Sequence, residues 1–294
     1  MKTFQSILMV ALTWGTFAAE SFTVASYNVE NYLGSGQVKR KPKPPEARRA
    51  VREAILRLRP DVLALQEIGQ RDVLEELRAA LKTEGLDYPH LEFLQGPDPV
   101  IHLAVLSRFP IVARRSQAHV FYLLDGRRFP VQRGFVEVDI RIGAGYQFTL
   151  INVHLKSKRP VPEADQAEMR LEEARKLRTR VLELLRKKEA NLLVVGDLND
   201  TPNAKPIKTV IGRRPKRLVD LRPAELPGTE GQRRIVWTSF YKTEDAYDRF
   251  DYLLASLGMV REWSPAGTRV LAWPGWGKAS DHRPIIAEFN ARDE

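Results

Sequence analysis

The chain has 294 residues, of which 43% are hydrophobic and 29% charged, the ordinary balance of a soluble globular protein. It contains no cysteine, which excludes a disulfide framework, a thiolate metal site and a cysteine nucleophile. Lys and Arg number 47 against 37 Asp and Glu; the net charge of +10 suits a polyanion such as nucleic acid or an anionic membrane, and equally suits simple solubility.

Lys2, the apolar run Phe4 to Trp14 and the small residues ending at Ala18 predict a secretory signal over residues 1–18. A disordered or buried N-terminal strand is the alternative. The run is too short to span a bilayer as a helix, and no other stretch is long and apolar enough to do so. Export would place the mature chain, 19–294, in the periplasm or outside the cell.

Phe22 to Val29 reads as a strand, followed by a Gly/Lys/Pro-rich loop from Gly34 to Pro45. Ala47, Ala50, Val51, Ala54, Ile55 and Leu58 have helical spacing, and Pro60 stops that helix. Val62 to Leu65 reads as a buried strand, and Val73, Leu74, Leu77 and Leu81 as a helix. Leu103 to Leu106 reads as another buried strand. Phe135 to Ile142 alternates strictly, which predicts a strand with Val136, Val138, Ile140 and Ile142 inward and Glu137, Asp139 and Arg141 in water. Gly143-Ala144-Gly145 joins it to Tyr146–Val153 as a hairpin. Ala167, Leu171, Ala174, Leu177, Val181 and Leu184 mark a long helix. Leu192–Val195, Phe250–Leu254 and Ile285–Phe289 complete the strands. No linker divides the sequence, so residues 19–294 read as one α/β domain.

Chemistry-bearing residues sit at the ends of the apolar runs: Asn28, Gln66-Glu67, Asn152 with His154, Asp197 to Asp200, Asp251, and Ser280-Asp281-His282. In α/β proteins, ligand sites gather where strands end. Carboxylates and amides without thiolates suit a hard cation such as Mg²⁺. Each piece also has a plainer reading. Glu67 could cap a helix, Asp197 to Asp200 form a polar turn, His154 be a satisfied core histidine and Asp281-His282 a surface turn. The set is more specific than any member.

The strings YNVENY, LALQEIG, LAVLSRFPI, INVHLKSK, VVGDLNDTP, DRFDYLL and SDHRPI occur in this order. Together they resemble the endonuclease/exonuclease/phosphatase superfamily, from about Phe22 to Phe289. That group includes DNase I-like nucleases, inositol phosphatases and sphingomyelinases. The resemblance implies an α/β fold, a four-layer α-β-β-α sandwich of two packed mixed sheets. It implies that Glu67 is the principal Mg²⁺ carboxylate, with Asn28 beside it and Asp281 near the metal; Mn²⁺ or Ca²⁺ could replace Mg²⁺. It implies that Asp197 and Asn199 orient the attacking water and the scissile phosphate. His282 matches the essential histidine, Asp251 its carboxylate partner, and His154 a phosphate-side histidine suited to general-acid work. Arg108, Arg133 and Lys156 are candidates for phosphate contacts.

A histidine at position 154 resembles the DNase I-like, inositol phosphatase and sphingomyelinase branches more than the abasic-site endonucleases. The disulfides of vertebrate DNase I-like enzymes have no counterpart here. The basic runs Lys39 to Lys43 and Arg213 to Arg217 either contact phosphates or are merely solvated. Trp273, Trp276, Trp237 and Tyr241 either stack on a base, dip into a membrane interface or fill a core. The expectation is a secreted or periplasmic Mg²⁺-dependent phosphodiesterase, an endonuclease of low sequence preference acting on nucleic acid, with no membrane span and no obligate protein partner. Phosphatase or phospholipid phosphodiesterase activity is the alternative, and an inactive binding protein a remote one.

Overall fold

Period-2 apolar rows and two amphipathic helix pairs determine the architecture. The computed structural model describes residues 21–35, 40–187, 189–225 and 234–292; the expected signal segment lies outside them. The first half contains β1 (Ser21–Tyr32), α1 (Pro45–Leu58), β2 (Val62–Ile68), α2 (Arg71–Thr83), β3 (His90–Leu94), β4 (His102–Ser107), β5 (Ile111–Arg114), β6 (Phe121–Leu124) and β7 (Arg127–Pro130). Next come β8 (Phe135–Ile142), β9 (Tyr146–His154), α3 (Gln166–Leu184), β10 (Leu192–Asp197), α4 (Lys205–Ile211) and β11 (Val219–Asp220). The chain ends with β12 (Ser239–Tyr241), β13 (Ala246–Asp248), β14 (Asp251–Ala255), α5 (Leu257–Arg261), β15 (Trp263–Val270), α6 (Trp276–Ala279) and β16 (Ile285–Asn290).

Two six-stranded mixed sheets result, in the orders β15-β16-β1-β2-β4-β3 and β11-β14-β10-β9-β8-β5. Their facing sides share a core that includes Phe22, Val24, Val62 and Ala64 from the first sheet and Val136, Val138, Phe148, Leu150, Leu193 and Val195 from the second. The outer face of the first sheet packs on α1 and α2 through Val51, Ile55, Leu74 and Leu77. The outer face of the second packs on α3 and α4 through Leu177, Val181, Ile207 and Val210. The fold is therefore the expected four-layer α-β-β-α sandwich. Among the described residues, no helix is long and apolar enough to cross a membrane.

Polar residues tie the two sheets together. Asn152 on β9 donates to the carbonyls of Leu65 (2.9 Å) and Ala104 (3.0 Å) on the other sheet and accepts from Gln66 Nε2 (2.7 Å). Gln66 also donates to Ser26 Oγ at 3.1 Å. Asn152 and Gln66 are fully buried, so these strand-end residues are an inter-sheet fastening that satisfies its own polar atoms.

Several local expectations change. The outer row of β8 is not all in water: Glu137 is 1% exposed because Arg115 from β5's end and Arg180 on α3 bond both of its oxygens, at 2.5 and 2.6 Å. Alternation alone does not reveal that cover, because cations supply it. β1 continues past Asn28 to Tyr32 through an irregularity in which Glu30 and Asn31 adopt positive φ. The short strands β3, β5–β7 and β11–β13, and the eight-residue β15 with Pro265 and Gly267 inside it, lack enough apolar periodicity to stand out in sequence.

Gly196 is required by a close approach. Its φ is +130°, and a Cβ there would lie 2.0 Å from the Val153 carbonyl oxygen. Gly196→Ala, one residue from Asp197, is therefore expected to lower stability by at least ~2 kcal/mol. Chemical denaturation of the two proteins measures it; a loss under about 0.5 kcal/mol contradicts the tight packing of β9 on β10.

Candidate active site

The apolar rows that face each other between the sheets end, at one rim, in polar residues of the same period. On β1 the row Phe22, Val24, Ser26 ends in Asn28; on β9 Phe148, Leu150, Asn152 ends in His154; on β10 Leu193 and Val195 end in Asp197. Register then sets neighbours. Asp197 pairs with His154 across the parallel β9–β10 ladder and with Asp251 across the antiparallel β10–β14 ladder. Residues in register share a face, so three titratable groups converge at the inner end of one sheet. β2 contributes Glu67 just after Gln66, which pairs with Asn28. The last group arrives on the segment before β16. Ser280 Oγ donates to the Asn28 carbonyl at 2.8 Å and accepts from the His282 N–H at 3.0 Å, fixing that segment against β1.

His282 Nδ1 lies 2.7 Å from Asp251 Oδ2, a charge-assisted hydrogen bond, and His282 Nε2 lies 3.7 Å from Asp197 Oδ2. His154 Nε2 is 3.5 Å from Asp197 Oδ2 and 3.9 Å from Glu67 Oε1. The Asn28 amide donates to Asp197 Oδ2 at 3.0 Å and to Glu67 Oε1 at 3.4 Å, bridging the sheets between two carboxylates. Asn199 donates its side-chain nitrogen to the Leu155 carbonyl at 2.9 Å, which leaves its oxygen as the free polar atom. Glu67 (φ +62°) and Asn199 (φ +54°) both occupy the left-handed region, strain that packed surroundings must hold.

The titration of these groups follows from their burial. Desolvation raises Asp197; the His282 charge opposes this and Asp251 adds to it. Burial alone would lower His282, but the charges of Asp251 and Asp197 and the bond to Asp251 carry it well above its ordinary value. His282 is therefore an imidazolium at neutral pH. Burial, Arg133 and His282 push His154 well below its ordinary value, so it is neutral. Asp281 is exposed to the cleft yet desolvated within it, which raises its carboxyl; the Glu67 charge adds to that rise against the lowering effect of His282.

A cleft of about 1020 Å³ opens over this rim, lined by Glu67, Asp197, Asn199, Asp281, His154 and His282 and also by Arg133 and Lys156. Arg133 is 8% exposed; its nearest carboxylate, Asp98, is 3.5 Å away, and its Nε and Nη1 donate no hydrogen bond. Lys156 spends its ammonium on the carbonyls of Ser157 and Arg159, at 3.3 and 2.9 Å.

Arg108 is not brought to the site. β4 runs antiparallel to β2, so Ser107 pairs with Val62 at the end of β2 opposite Glu67, and Arg108 bonds Asp61 at 2.7 Å there. Of the basic runs, Lys39 lies outside the described residues and Lys43 is buried on the Glu30 carbonyl at 2.8 Å, while Arg40 lines the cleft and donates to the Asn31 side-chain oxygen. Arg213 to Arg217 precede Val219, which pairs with Ala255 at the end of β14 remote from Asp251. Trp273 is buried in the α1–α2 layer. Trp237, Phe240, Tyr247 and Trp276 form one aromatic cluster, with ring centroids 4.6 to 5.8 Å apart. It backs the β12–β13 hairpin, whose Phe240 and Tyr241 line the cleft. This hairpin does not stand out in the sequence, because a three-residue strand carries almost no periodic signal.

Asp197, Asp251 and His282 offer ligand atoms within 4.8 Å of one another, a buried group that could hold a metal ion only with His282 deprotonated. A second oxygen set, Glu67, Asp281 and Asn28, lines or borders the same cleft. Its donors are hard, and its two carboxylates repel one another, which is the environment a divalent cation relieves.

The human Nocturnin catalytic domain with bound sulfate anion is similar in structure: TM-score 0.66, 19% identity, over 93% of this chain and 95% of that one. Truncated Caenorhabditis elegans TDP2 gives a TM-score of 0.61 at 19% identity, covering 92% and 98%. Sphingomyelinase C from Streptomyces griseocarneus gives 0.58 at 19%, covering 92% and 99%. At these identities the likeness shows the fold. No curated protein matches the sequence. The endonuclease/exonuclease/phosphatase family, however, matches residues 25–282, nearly the whole domain, and the chain belongs to that family.

Proposed function

We propose that the protein is a Mg²⁺-dependent phosphodiesterase, an exported nuclease of low sequence preference. One observation carries the reading most: a buried, under-bonded guanidinium, Arg133, lines the same cleft as a carboxylate set suited to a hard cation. A phosphodiester anion needs both. In this reading Arg133 would hold a non-bridging oxygen. Glu67, Asp281 and Asn28 would hold the cation, which when bound supplies charge neutralisation at the phosphate.

The chain's own residues then divide the proton work. Asp197, its carboxyl raised, accepts a proton from the attacking water, which the Asn199 oxygen helps to orient. His282, held in orientation by Asp251 through its Nδ1–H, presents its Nε2–H to the phosphate or the leaving oxygen. His154 is neutral, so it serves as a hydrogen-bond donor; the general-acid role expected from sequence passes to His282. Export rests on the 1–18 segment alone. The aromatic hairpin favours a second reading, a phospholipid phosphodiesterase whose lipid meets Phe240 and Tyr241. Its tip carries Glu244 and Asp245 as well as Lys242, which suits an anionic membrane poorly.

Incubation of residues 19–294 with supercoiled plasmid and Mg²⁺ tests the proposal. Nicking that EDTA abolishes is expected, with Asp197→Asn and His282→Ala each at least ~10²-fold slower. Near-normal rates in either variant contradict the assigned roles. Intact plasmid, with turnover of sphingomyelin or inositol phosphates, would replace nuclease by the alternative substrates.

Stability against pH checks the electrostatics independently. In EDTA, a carboxyl raised from its usual value loses stability as pH climbs from about 4 to about 7, where Asp197 ionises. The raised His282 contributes fully below about 6.5 and loses its contribution as pH rises through its higher folded value. Both effects have the same sign. The variant keeps His282 but removes one of the charges that raise it, so the Asp197 effect is read in its own window: Asp197→Asn should gain Tm relative to the parent as pH rises from about 4 to about 7; a pH-independent difference would show that Asp197 is not desolvated as described.

A further inference from the structure

Helix α3 carries two buried ionisable side chains that belong to no apolar core. Arg170 is 3% exposed, Glu173 is fully buried, and neither lines the cleft. Three residues apart, they share one helix face. Their partners lie on the segments that build the cleft. Glu173 Oε2 accepts the Lys156 N–H at 2.6 Å, two residues after His154, and Oε1 accepts the Gln132 N–H at 3.3 Å, one residue before Arg133. Arg170 Nη1 donates to the carbonyls of Lys156 (3.1 Å) and Ser157 (3.3 Å), and its Nε to Asp200 Oδ2 at 3.0 Å. Asp200 closes the segment that carries Asp197 and Asn199, and its Oδ1 accepts the Thr201 N–H at 3.0 Å.

We propose that Glu173 and Arg170 are positioning residues: a buried clamp that sets the spacing of Arg133, His154 and Asp197, and with it the phosphate affinity of the cleft. The kinetic part rests on the phosphodiesterase reading; the affinity part does not. Burying two ionisable groups is costly: desolvation pushes the Glu173 carboxyl up to about 7 against the pull of Arg133 and its two N–H donors, and apolar side chains of similar volume would pack a helix on a sheet as well or better. Here each charge is satisfied chiefly by backbone groups or a carboxylate of cleft-forming segments. Neutralising Glu173 while keeping its shape leaves one acceptor for two N–H donors, so one of the two loops is released. Small displacements of a phosphate-holding group weaken binding out of proportion to their size.

The test uses the chain from residue 19 with Glu173→Gln, and Leu177→Ala as a control. Leu177 is buried on the same helix, in the layer between α3 and the second sheet. Three quantities are measured: Kd for inorganic phosphate by calorimetry, kcat and KM on plasmid or bis(p-nitrophenyl) phosphate, and Tm. Glu173→Gln is expected to weaken phosphate binding about tenfold and to raise KM by a similar factor, with kcat within about threefold. Leu177→Ala should lower Tm at least as far and leave Kd and KM unchanged. Wild-type phosphate affinity in Glu173→Gln, or equal weakening in Leu177→Ala, overturns the clamp, as does a wild-type chain that binds no phosphate. If the wild-type chain binds phosphate but cleaves no phosphodiester, and Glu173→Gln still weakens that binding, the nuclease reading fails and the clamp stands.

Discussion

Asp197 is a fully buried carboxylate with Asp251 in register beside it, and the rim of the sandwich is organised around keeping it there. Burial of like charges is unfavourable unless cations or donors share the space. The chain supplies some of that relief itself. His282 becomes an imidazolium between Asp251 and Asp197, and the Asn28 amide donates to Asp197 and Glu67 together. Glu67 and Asp281 still raise the local negative charge, and in the proposed function a divalent cation in the cleft that they line would lower the energy. Charge crowding and catalytic capacity are the same feature seen from stability and from function.

Geometry makes that crowding tolerable. The apolar rows between the sheets run unbroken until the last one or two positions, where they turn polar on neighbouring strands at the same level. The Asn152–Gln66–Ser26 fastening closes the boundary between dry core and wet rim, with every amide bonded across the sheets. Beneath the second sheet, α3 completes the arrangement from outside. Rigid strands fix the reacting groups, while the loops that carry Arg133 and Lys156 depend on buried partners in a helix.

Much of this was legible in the sequence. The alternation of Phe135–Ile142, the helical spacing of Ala167–Leu184 and the polar residues after each apolar run located the major elements and most of the site. Glu67, Asp197, Asn199, Asp281, His154 and His282 line one cleft, and Asn28 and Asp251 bond to its members, as the motif order implies. Arg108 was misplaced because a motif records the residues next to a strand and not the direction in which that strand runs. Glu137 was misplaced because its cover is two arginines from distant segments. Arg170 and Glu173 carry no signal of their own in a helix rich in Arg and Glu, and only tertiary contacts reveal them as buried. The protonation contrast between the two histidines is likewise invisible in sequence, since it depends on which one faces Asp251 and which faces Arg133.

The central claim is that the Glu67 side of the rim is a cation site. Titrating Mg²⁺ into metal-free protein, by calorimetry and by thermal unfolding, tests it most directly. The account predicts saturable binding and a rise in Tm for the wild-type chain, both lost or greatly weakened in a folded Glu67→Gln variant. Equal Mg²⁺ affinity in the two proteins, or none in either, would contradict it.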